Sequence, residues 1–269
     1  MATEQNKDLA RGDLSKIGLL VPCCIDQMMP QTAFNAIALL EKMGLRTFYP
    51  EEFTCCGMDL YQQGDNDGAK KLGQRLIEQY EDCSHIVSLS SACVVYMQKQ
   101  FPRLFHNTTL HNNYRQLVNH CYDFSDFLVN VLHVDDADSE YRLYDIEFNH
   151  KVTILDHCTT LRDYQCLSHP DMAGLREEPR RLLRCVRGLE LVEMPQQDVC
   201  CGMGGLFASQ FTAISNSLTR RKVDNAMTVG AEYIVSTEMR CLLNIRSLCE
   251  KNKLPVKCIH LADVLTSSI

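Results

Sequence analysis

The sequence predicts an α/β protein made of two pseudo-symmetric repeats, each a small, mostly parallel sheet flanked by helices. Short apolar stretches of strand length alternate with longer stretches whose apolar residues recur at helical spacing, which is typical of βαβ units. The same order of features occurs twice along the 269 residues. In both occurrences cysteines directly follow predicted strands. Loops at the carboxyl ends of parallel strands converge on one edge of a sheet, so these cysteines are expected to meet there.

The first repeat starts with a predicted strand at 17–21 that runs into Pro22-Cys23-Cys24. Five predicted elements follow. They are a helix over 32–43, a strand over 46–49 that leads to Cys55-Cys56-Gly57, a second helix over 67–80, a strand over 85–89 that ends near Cys93, and a closing segment over 121–129.

The second repeat has the same plan. Its first strand leads to Asp156-His157-Cys158, a later one leads to Cys200-Cys201-Gly202, and a third ends near Cys241. The predicted strands are 152–155, 189–193 and 233–236, the helices are 178–186 and 207–229, and the closing segment is 258–265.

The domain organisation follows from this duplication. Residues 1–16 are polar and mixed in charge, and they are expected to form a disordered tail. The two repeats then occupy residues 17–135 and 136–269. Within the less regular link over 101–151, the stretch 141–148 is expected to form an extra strand pair.

Composition excludes several classes of protein. A net charge of −7 without a basic stripe argues against nucleic acid as a partner. The first residues lack the apolar core of a secretory signal, and no apolar run approaches the roughly 18 residues of a membrane helix. The protein is therefore expected to be cytoplasmic, without a transmembrane segment.

Fifteen cysteines are the unusual feature of the composition. In a reducing compartment such clusters indicate metal or redox chemistry more often than disulfides. Eight of them repeat at matching places and are the candidate ligands: Cys23, Cys55, Cys56, Cys93, Cys158, Cys200, Cys201 and Cys241. Cys24 is either a spare thiol or an additional ligand. The others are expected to be small buried side chains: Cys83, Cys121, Cys166, Cys185, Cys249 and Cys258.

Four thiolates around one site suit an iron–sulfur cluster or tetrahedral zinc. Structural zinc sites usually use two Cys-x-x-Cys pairs, and no two cysteines here are three positions apart. Neighbouring cysteines strain the chelation of one small ion, whereas a multi-iron cluster offers separate iron atoms. The glycine after each pair allows close backbone approach to such a cluster. Two iron–sulfur clusters are therefore favoured, with zinc as the alternative.

Several segments carry a resemblance to a known family. They are Leu20-Val21-Pro22-Cys23, Phe53-Thr54-Cys55-Cys56-Gly57 and Ser90-Ser91-Ala92-Cys93 in the first repeat, and Cys158-Thr159-Thr160-Leu161-Arg162, Val199-Cys200-Cys201-Gly202-Met203-Gly204-Gly205-Leu206-Phe207 and Cys241-Leu242-Leu243-Asn244-Ile245 in the second. With these, the chain resembles the cysteine-rich CCG-domain family from about Ile17 onward.

The resemblance implies a function. The most similar members are iron–sulfur subunits of a cytoplasmic complex that oxidises L-lactate to pyruvate, and related domains occur in the iron–sulfur subunit of glycolate oxidase and in heterodisulfide reductase. It implies [4Fe–4S] clusters on the repeated cysteines. Partner subunits with further clusters are also inferred, because the chain has no nicotinamide or flavin fingerprint and no ferredoxin-type Cys run.

The chain departs from the heterodisulfide reductase pattern at two positions. That pattern has a fifth cysteine three residues before the last one, where this chain has Ser90 and Glu238. Electron relay by conventional clusters is therefore favoured over the two alternatives, a thiol/disulfide redox catalyst and a zinc-binding scaffold without redox activity. His157 is a possible extra ligand or, more simply, a hydrogen-bonded neighbour. Arg162 either pairs with a substrate carboxylate or lies on a helix surface.

Overall fold

The computed structural model describes residues 14–52, 54–143, 145–164 and 175–268. Only residues 14–16 of the predicted tail fall within these ranges, and they form neither helix nor strand. Phe53, in the first CCG segment, and Cys166, expected to be a buried side chain, lie outside the described residues.

Each repeat forms a four-stranded parallel sheet. The strand order is β2-β1-β3-β4 in the first and β6-β5-β7-β8 in the second, so the two sheets have the same topology. This confirms the predicted α/β class and the duplication. The strands are β1 Ile17–Leu20, β2 Thr47–Phe48, β3 His85–Ser88, β4 Cys121–Asp123, β5 Lys151–Ile154, β6 Glu190–Leu191, β7 Tyr233–Ser236 and β8 Lys257–His260.

The central strands read as apolar runs because helices cover both faces of each sheet. All residues of β1 and β3 are buried, as are all but the first of β5 and β7. In-register pairing sets Leu20 beside Ser88 and Ile154 beside Val235. The central strands therefore end level with one another, and the segments that follow them start from one edge.

Helices connect the strands and supply the segments that follow them. In the first repeat they are α1 Cys23–Met28, α2 Pro30–Lys42, α3 Met58–Gln62, α4 Asn66–Gln79, α5 Ser91–Phe105, α6 His111–Asn119 and α7 Phe124–Asp126, which continues as a π-helical segment Phe127–Val131. In the second they are α8 Cys158–Asp163, α9 Glu177–Arg184, α10 Leu206–Gln210, α11 Thr212–Thr228, α12 Met239–Asn252 and α13 Leu261–Val264. In the part of the chain that is described, no helix has both the length and the apolarity to cross a membrane.

Two predicted elements are wrong. The described residues of 141–148 form no strand pair: Glu147 makes a single parallel bridge with Arg187, and its amide donates to the Ser268 hydroxyl rather than to a strand. The helix expected over 207–229 is divided into α10 and α11, because Phe211 has φ −121° and ψ 49°, outside the helical region.

The closing segment of each repeat packs against the other repeat. Helix α13 contacts α2, while α7 and the π-helical segment contact α9. Thr32 Oγ1 and Asn35 Nδ2 on α2 donate to the two carboxylate oxygens of Asp263 at 2.9 and 2.8 Å. One apolar cluster accordingly contains side chains from both sheets, such as Leu19 and Ile154. This exchange holds the two sheets in a fixed relation.

Replacing Asp263 by alanine tests the exchange. The substitution leaves the two polar groups on α2 without their acceptor, so we expect the free energy of unfolding to fall by about 1–3 kcal/mol. Urea denaturation under anaerobic conditions measures it. As a control, Asp82→Ala should stay within about 0.5 kcal/mol of the unaltered protein, because the Asp82 side chain is 81% exposed. An equally small effect for Asp263→Ala would contradict the assigned role.

Candidate functional site

The first thiol set consists of Cys23, Cys55, Cys56 and Cys93. Cys23 begins α1, the adjacent pair lies in the loop before α3, and Cys93 lies in the first turn of α5. The Sγ atoms of Cys56 and Cys93 are 3.5 Å apart, and Cys23 hydrogen-bonds to Cys55. All four line one small cavity. Three segments distant in sequence thus meet at the carboxyl edge of the first sheet.

The second thiol set consists of Cys158, Cys200, Cys201 and Cys241, and it repeats this arrangement. Cys158 begins α8, the adjacent pair precedes α10, and Cys241 lies in the first turn of α12. The Sγ separations are 3.7 Å for Cys158 and Cys200 and 2.8 Å for Cys201 and Cys241. Each repeat therefore brings its four predicted cysteines together.

The glycine after each cysteine pair is required by the backbone. Gly57 and Gly202 have φ of +88° and +86°, a region that other residues rarely adopt. A Cβ atom at Gly202 would lie 2.5 Å from the Ser215 carbonyl oxygen. This conformation lets the Gly57 and Gly202 amides donate to the sulfurs of Cys55 and Cys200 at 3.5 and 3.3 Å.

Hydrogen bonds lower the pKa of one sulfur in each set. The Cys23 and Cys56 thiols and the Gly57 amide lower the pKa of Cys55, while the bond with Cys55 raises the pKa of Cys23, the proton donor. Cys158, Cys201 and the Gly202 amide lower the pKa of Cys200 in the same way. These contacts make one thiol of each set easier to deprotonate, and the deprotonated thiol is the form that binds metals.

The donor chemistry fits an iron–sulfur cluster. In the described ranges, no three or more His, Cys, Asp or Glu side chains are arranged to hold a single metal ion. The sulfurs lie instead as close pairs, so binding of a metal group would require the pairs to rearrange. A multi-iron cluster has a separate iron for each sulfur, and amide donors to sulfur are the groups that tune such clusters.

Cys24 and His157, the two possible extra ligands, differ in their surroundings. Cys24 lines the cavity of the first set, and burial raises the pKa of its thiol. His157 hydrogen-bonds to Cys241. Burial lowers the pKa of His157, but the neighbouring Cys241, Glu238 and Cys200 outweigh this and raise it to about 9. Arg162 is exposed on α8, the predicted helix-surface position.

Ser90 and Glu238 contact each other across the two repeats. They occupy the two positions at which the heterodisulfide reductase pattern has a fifth cysteine. Ser90 Oγ donates to Glu238 Oε2 at 2.6 Å, and the Ala92 amide donates to the same oxygen at 3.2 Å. Ser90 Oγ also accepts from the Cys93 amide at 3.3 Å. The second repeat thereby caps the helix that carries Cys93. Sequence reasoning noted both positions but missed this contact, because nothing in the order of residues shows that the two edges face each other.

The other described cysteines lie away from the thiol sets. Cys83, Cys121 and Cys249 are buried as expected, and Cys258 is partly buried. The expectation for Cys185 is wrong: its side chain is exposed, and its sulfur donates to the Arg181 carbonyl oxygen at 3.3 Å. It follows Arg184 at the end of α9, where the last turn meets solvent.

Replacing Ser90 by alanine tests the contact between the repeats. Both Ser90 and Glu238 are 1% exposed, so the change leaves a buried carboxylate with one donor fewer. We expect the free energy of unfolding to fall by about 1.5–3 kcal/mol, as for other hydrogen bonds to charged groups. Ser209→Ala removes an exposed hydroxyl and should change it by less than about 0.5 kcal/mol. A similarly small loss for Ser90→Ala would show that the contact does not stabilise the protein.

Comparison with known proteins follows the same division into repeats. The family model of the CCG cysteine-rich domain matches residues 17–98 and 152–246. A Bacillus subtilis protein named lactate utilization protein A is 32% identical over 94% of this chain and 99% of its own length. Proteins named lactate utilization protein A 1 from Bacillus cereus and Bacillus mycoides are 33% and 30% identical, over 94% and 93% of this chain and 99% and 96% of their own lengths.

One solved structure that aligns with this chain is too dissimilar to support an argument. The Escherichia coli transcriptional repressor ascG aligns over 94% of this chain and 88% of its own, with 9% identity and a TM-score of 0.26. The family match covers more than half of the chain and falls on the two segments that carry the thiol sets. The chain belongs to the CCG cysteine-rich domain family, with one copy of the domain in each repeat.

Proposed function

We propose that this chain is an iron–sulfur electron-transfer subunit of a cytoplasmic complex that oxidises L-lactate, or a similar 2-hydroxy acid, to the 2-oxo acid. The supporting observation is the pair of four-thiol sets, one at the carboxyl edge of each sheet. Relatives that align over nearly their whole length bear the name lactate utilization protein A, and lactate comes into the proposal from that name.

Each thiol set would hold one [4Fe–4S] cluster. Bound there, a cluster would accept and release single electrons, which suits the stepwise passage of the two electrons released by oxidation of a hydroxy acid. The residues of this chain would hold the thiolates and limit access of water. Two sulfurs of each set are buried, with Cys56 5%, Cys93 6%, Cys201 4% and Cys241 1% exposed.

The remaining sulfurs of each set are only partly buried: Cys23, Cys55, Cys158 and Cys200. This side of each set is the natural place for electrons to enter or leave. We propose that other subunits with further clusters dock near it, since the chain lacks a motif for its own nicotinamide or flavin.

A zinc-binding scaffold is the second candidate, and one observation favours it. The Sγ separations of 3.5 and 3.7 Å are close to the roughly 3.8 Å between two thiolates on a tetrahedral zinc ion. In the described part of the chain, however, no three of these side chains are arranged to hold a single metal ion. Thiol/disulfide catalysis has less support, because Ser90 and Glu238 are bonded to each other where further cluster ligands would be needed.

Metal analysis of anaerobically purified protein tests the proposal. Two [4Fe–4S] clusters correspond to about eight iron and eight sulfide per chain. Cys56→Ser and Cys201→Ser should each remove about half of the iron and one of the two EPR signals, since each variant disables one set. Cys185→Ser changes an exposed cysteine outside both sets, so this variant should retain all of the bound iron.

The competing functions give other results. Colourless protein with stoichiometric zinc from the same anaerobic preparation would favour the scaffold. Absence of bound iron after anaerobic reconstitution would overturn the electron-transfer proposal. A spectroscopic change on addition of a disulfide would favour the thiol/disulfide catalyst.

A further inference from the structure

One lysine of the second repeat is buried without an anionic partner. Lys222 on α11 is 1% exposed. Its Nζ donates to the carbonyl oxygens of Gln196 and Gln197 at 2.8 and 2.9 Å, which are neutral groups. Among the residues that the structure describes, no carboxylate lies within ion-pair distance of it. A buried ammonium is costly unless a negative charge lies nearby.

The helix face that carries Lys222 packs on the second cysteine pair. Ser215 Oγ donates to the Gly202 carbonyl oxygen at 3.0 Å, and Thr219 Oγ1 donates to the Cys201 carbonyl oxygen at 2.8 Å. Lys222 follows Thr219 by three residues, so the two side chains are neighbours on the same face of α11. The lysine therefore lies about one helical turn from a direct contact with the cysteine pair.

The surrounding charges indicate which group complements the lysine. Burial lowers the pKa of Lys222, and Cys201 is the neighbour that most strongly opposes this shift. Asp198 and Asp156 oppose it less. Asp156 is bound to Arg180 at 2.8 Å and Asp198 is exposed, so their charges are paired or screened by water. The negative charge that remains for Lys222 is that of the second thiol set and of a cluster bound there.

The equivalent position in the first repeat is apolar. The glycine after each cysteine pair closely approaches Ala69 on α4 in the first repeat and Ser215 on α11 in the second, which aligns the two helices. Seven residues further along, Leu76 corresponds to Lys222, and Leu76 is fully buried. The two thiol sets therefore differ by one buried positive charge.

Other charges near the sets do not cancel this difference. Arg240 lines the cavity of the first set, but its guanidinium pairs with Asp59 at 2.8 Å. Glu238 bonds to the start of α5 and itself precedes α12, so its negative charge lies near both sets. His157 is hydrogen-bonded within the second set and carries a positive charge when protonated, which increases the difference.

A fixed positive charge stabilises the reduced form of a cluster, which is the more negative form, and so raises its reduction potential. We propose that Lys222 raises the reduction potential of the cluster in the second set above that of the cluster in the first. A single electron on the chain then resides on the second repeat. When it moves there, the first cluster is oxidised and the second is reduced by one electron each, and no proton or further oxidant is needed.

For the clusters themselves this inference rests on the proposed function. It adds a direction: electrons that enter at the first repeat collect at the second. In this account Lys222 is a positioning residue for charge, since it touches neither a sulfur nor a substrate.

An EPR-monitored redox titration of the anaerobically reconstituted full chain tests the order of the two potentials. Cys56→Ser and Cys201→Ser assign each signal to its set. We expect the second set to be reduced first, with at least about a tenfold preference for one electron, which corresponds to about 59 mV.

Variants of Lys222 test the cause of this preference. Lys222→Gln removes the charge but keeps N–H donors for the two carbonyl groups, so the preference should fall at least about fivefold while the first signal stays in place. Lys222→Arg keeps the charge and should remain within about threefold of the unaltered protein. Should Lys222→Gln not retain the second cluster, Lys222→Met replaces it.

Arg221→Met is the matched control. It removes a positive charge from the next residue of the same helix, where the guanidinium is exposed and bonds to Gln196 Oε1 at 2.7 Å. Water screens a charge at this position, so the preference should change by less than about twofold.

Three results would overturn the inference. They are equal or reversed potentials in the unaltered protein, an unchanged preference in Lys222→Gln or its replacement, and an equal loss in Lys222→Arg, which would show that packing rather than charge is responsible. The first of these needs no variant. Two clusters with equal potentials overturn this inference and leave the electron-transfer proposal standing, whereas protein that never holds iron overturns both.

Discussion

The parallel direction of all strands within each sheet determines where the cysteines lie. Because neighbouring strands run the same way, the segments that follow β1 and β3 start from one edge, and so do those that follow β5 and β7. Cys23 and Cys93 can therefore meet although helices and strands lie between them in sequence. An antiparallel neighbour would deliver its cysteine to the opposite edge. The thiol sets are thus a consequence of topology, and the Cys-Cys-Gly turns add the adjacent pair.

The second constraint is the way in which the repeats hold each other. The closing segment of each repeat packs on a helix of the other, which brings the two cysteine-bearing edges into contact. At this contact Glu238 of one repeat caps the helix that presents Cys93 of the other. A position that would carry another sulfur ligand in a related enzyme instead joins the two halves. The same carboxylate lines a cavity that Cys158 and Cys200 also line, so it links the first thiol set to the second.

Much of this could be predicted from sequence because the signals are local or repeated. The strands at Ile17–Leu20 and Tyr233–Ser236 are apolar runs of the right length, and the two Cys-Cys-Gly turns follow strands at equivalent places. Two features were not predictable. The strands β4 and β8 are short and begin segments that continue as helix, so their periodicity is weak. The contact of Ser90 with Glu238 joins residues 148 positions apart and depends on how the sheets face each other.

Cys93 and Cys241 show most clearly where the expectation that all the cysteines lie in loops after strands falls short. Sequence placed them just past strands, and the structure has them in the first turns of α5 and α12. The consequence is that helix geometry, rather than a free loop, orients these two sulfurs, and that a cap such as Glu238 can act on one of them. Boundaries of this kind depend on tertiary hydrogen bonds that no local pattern contains.

If each repeat holds its own cluster independently, native mass spectrometry of the anaerobic protein should show two successive mass additions of one [4Fe–4S] cluster each, and a single such addition when either Cys56 or Cys201 is replaced by serine. Additions that correspond to zinc alone, or loss of both clusters from either single variant, would contradict independent binding by the two repeats.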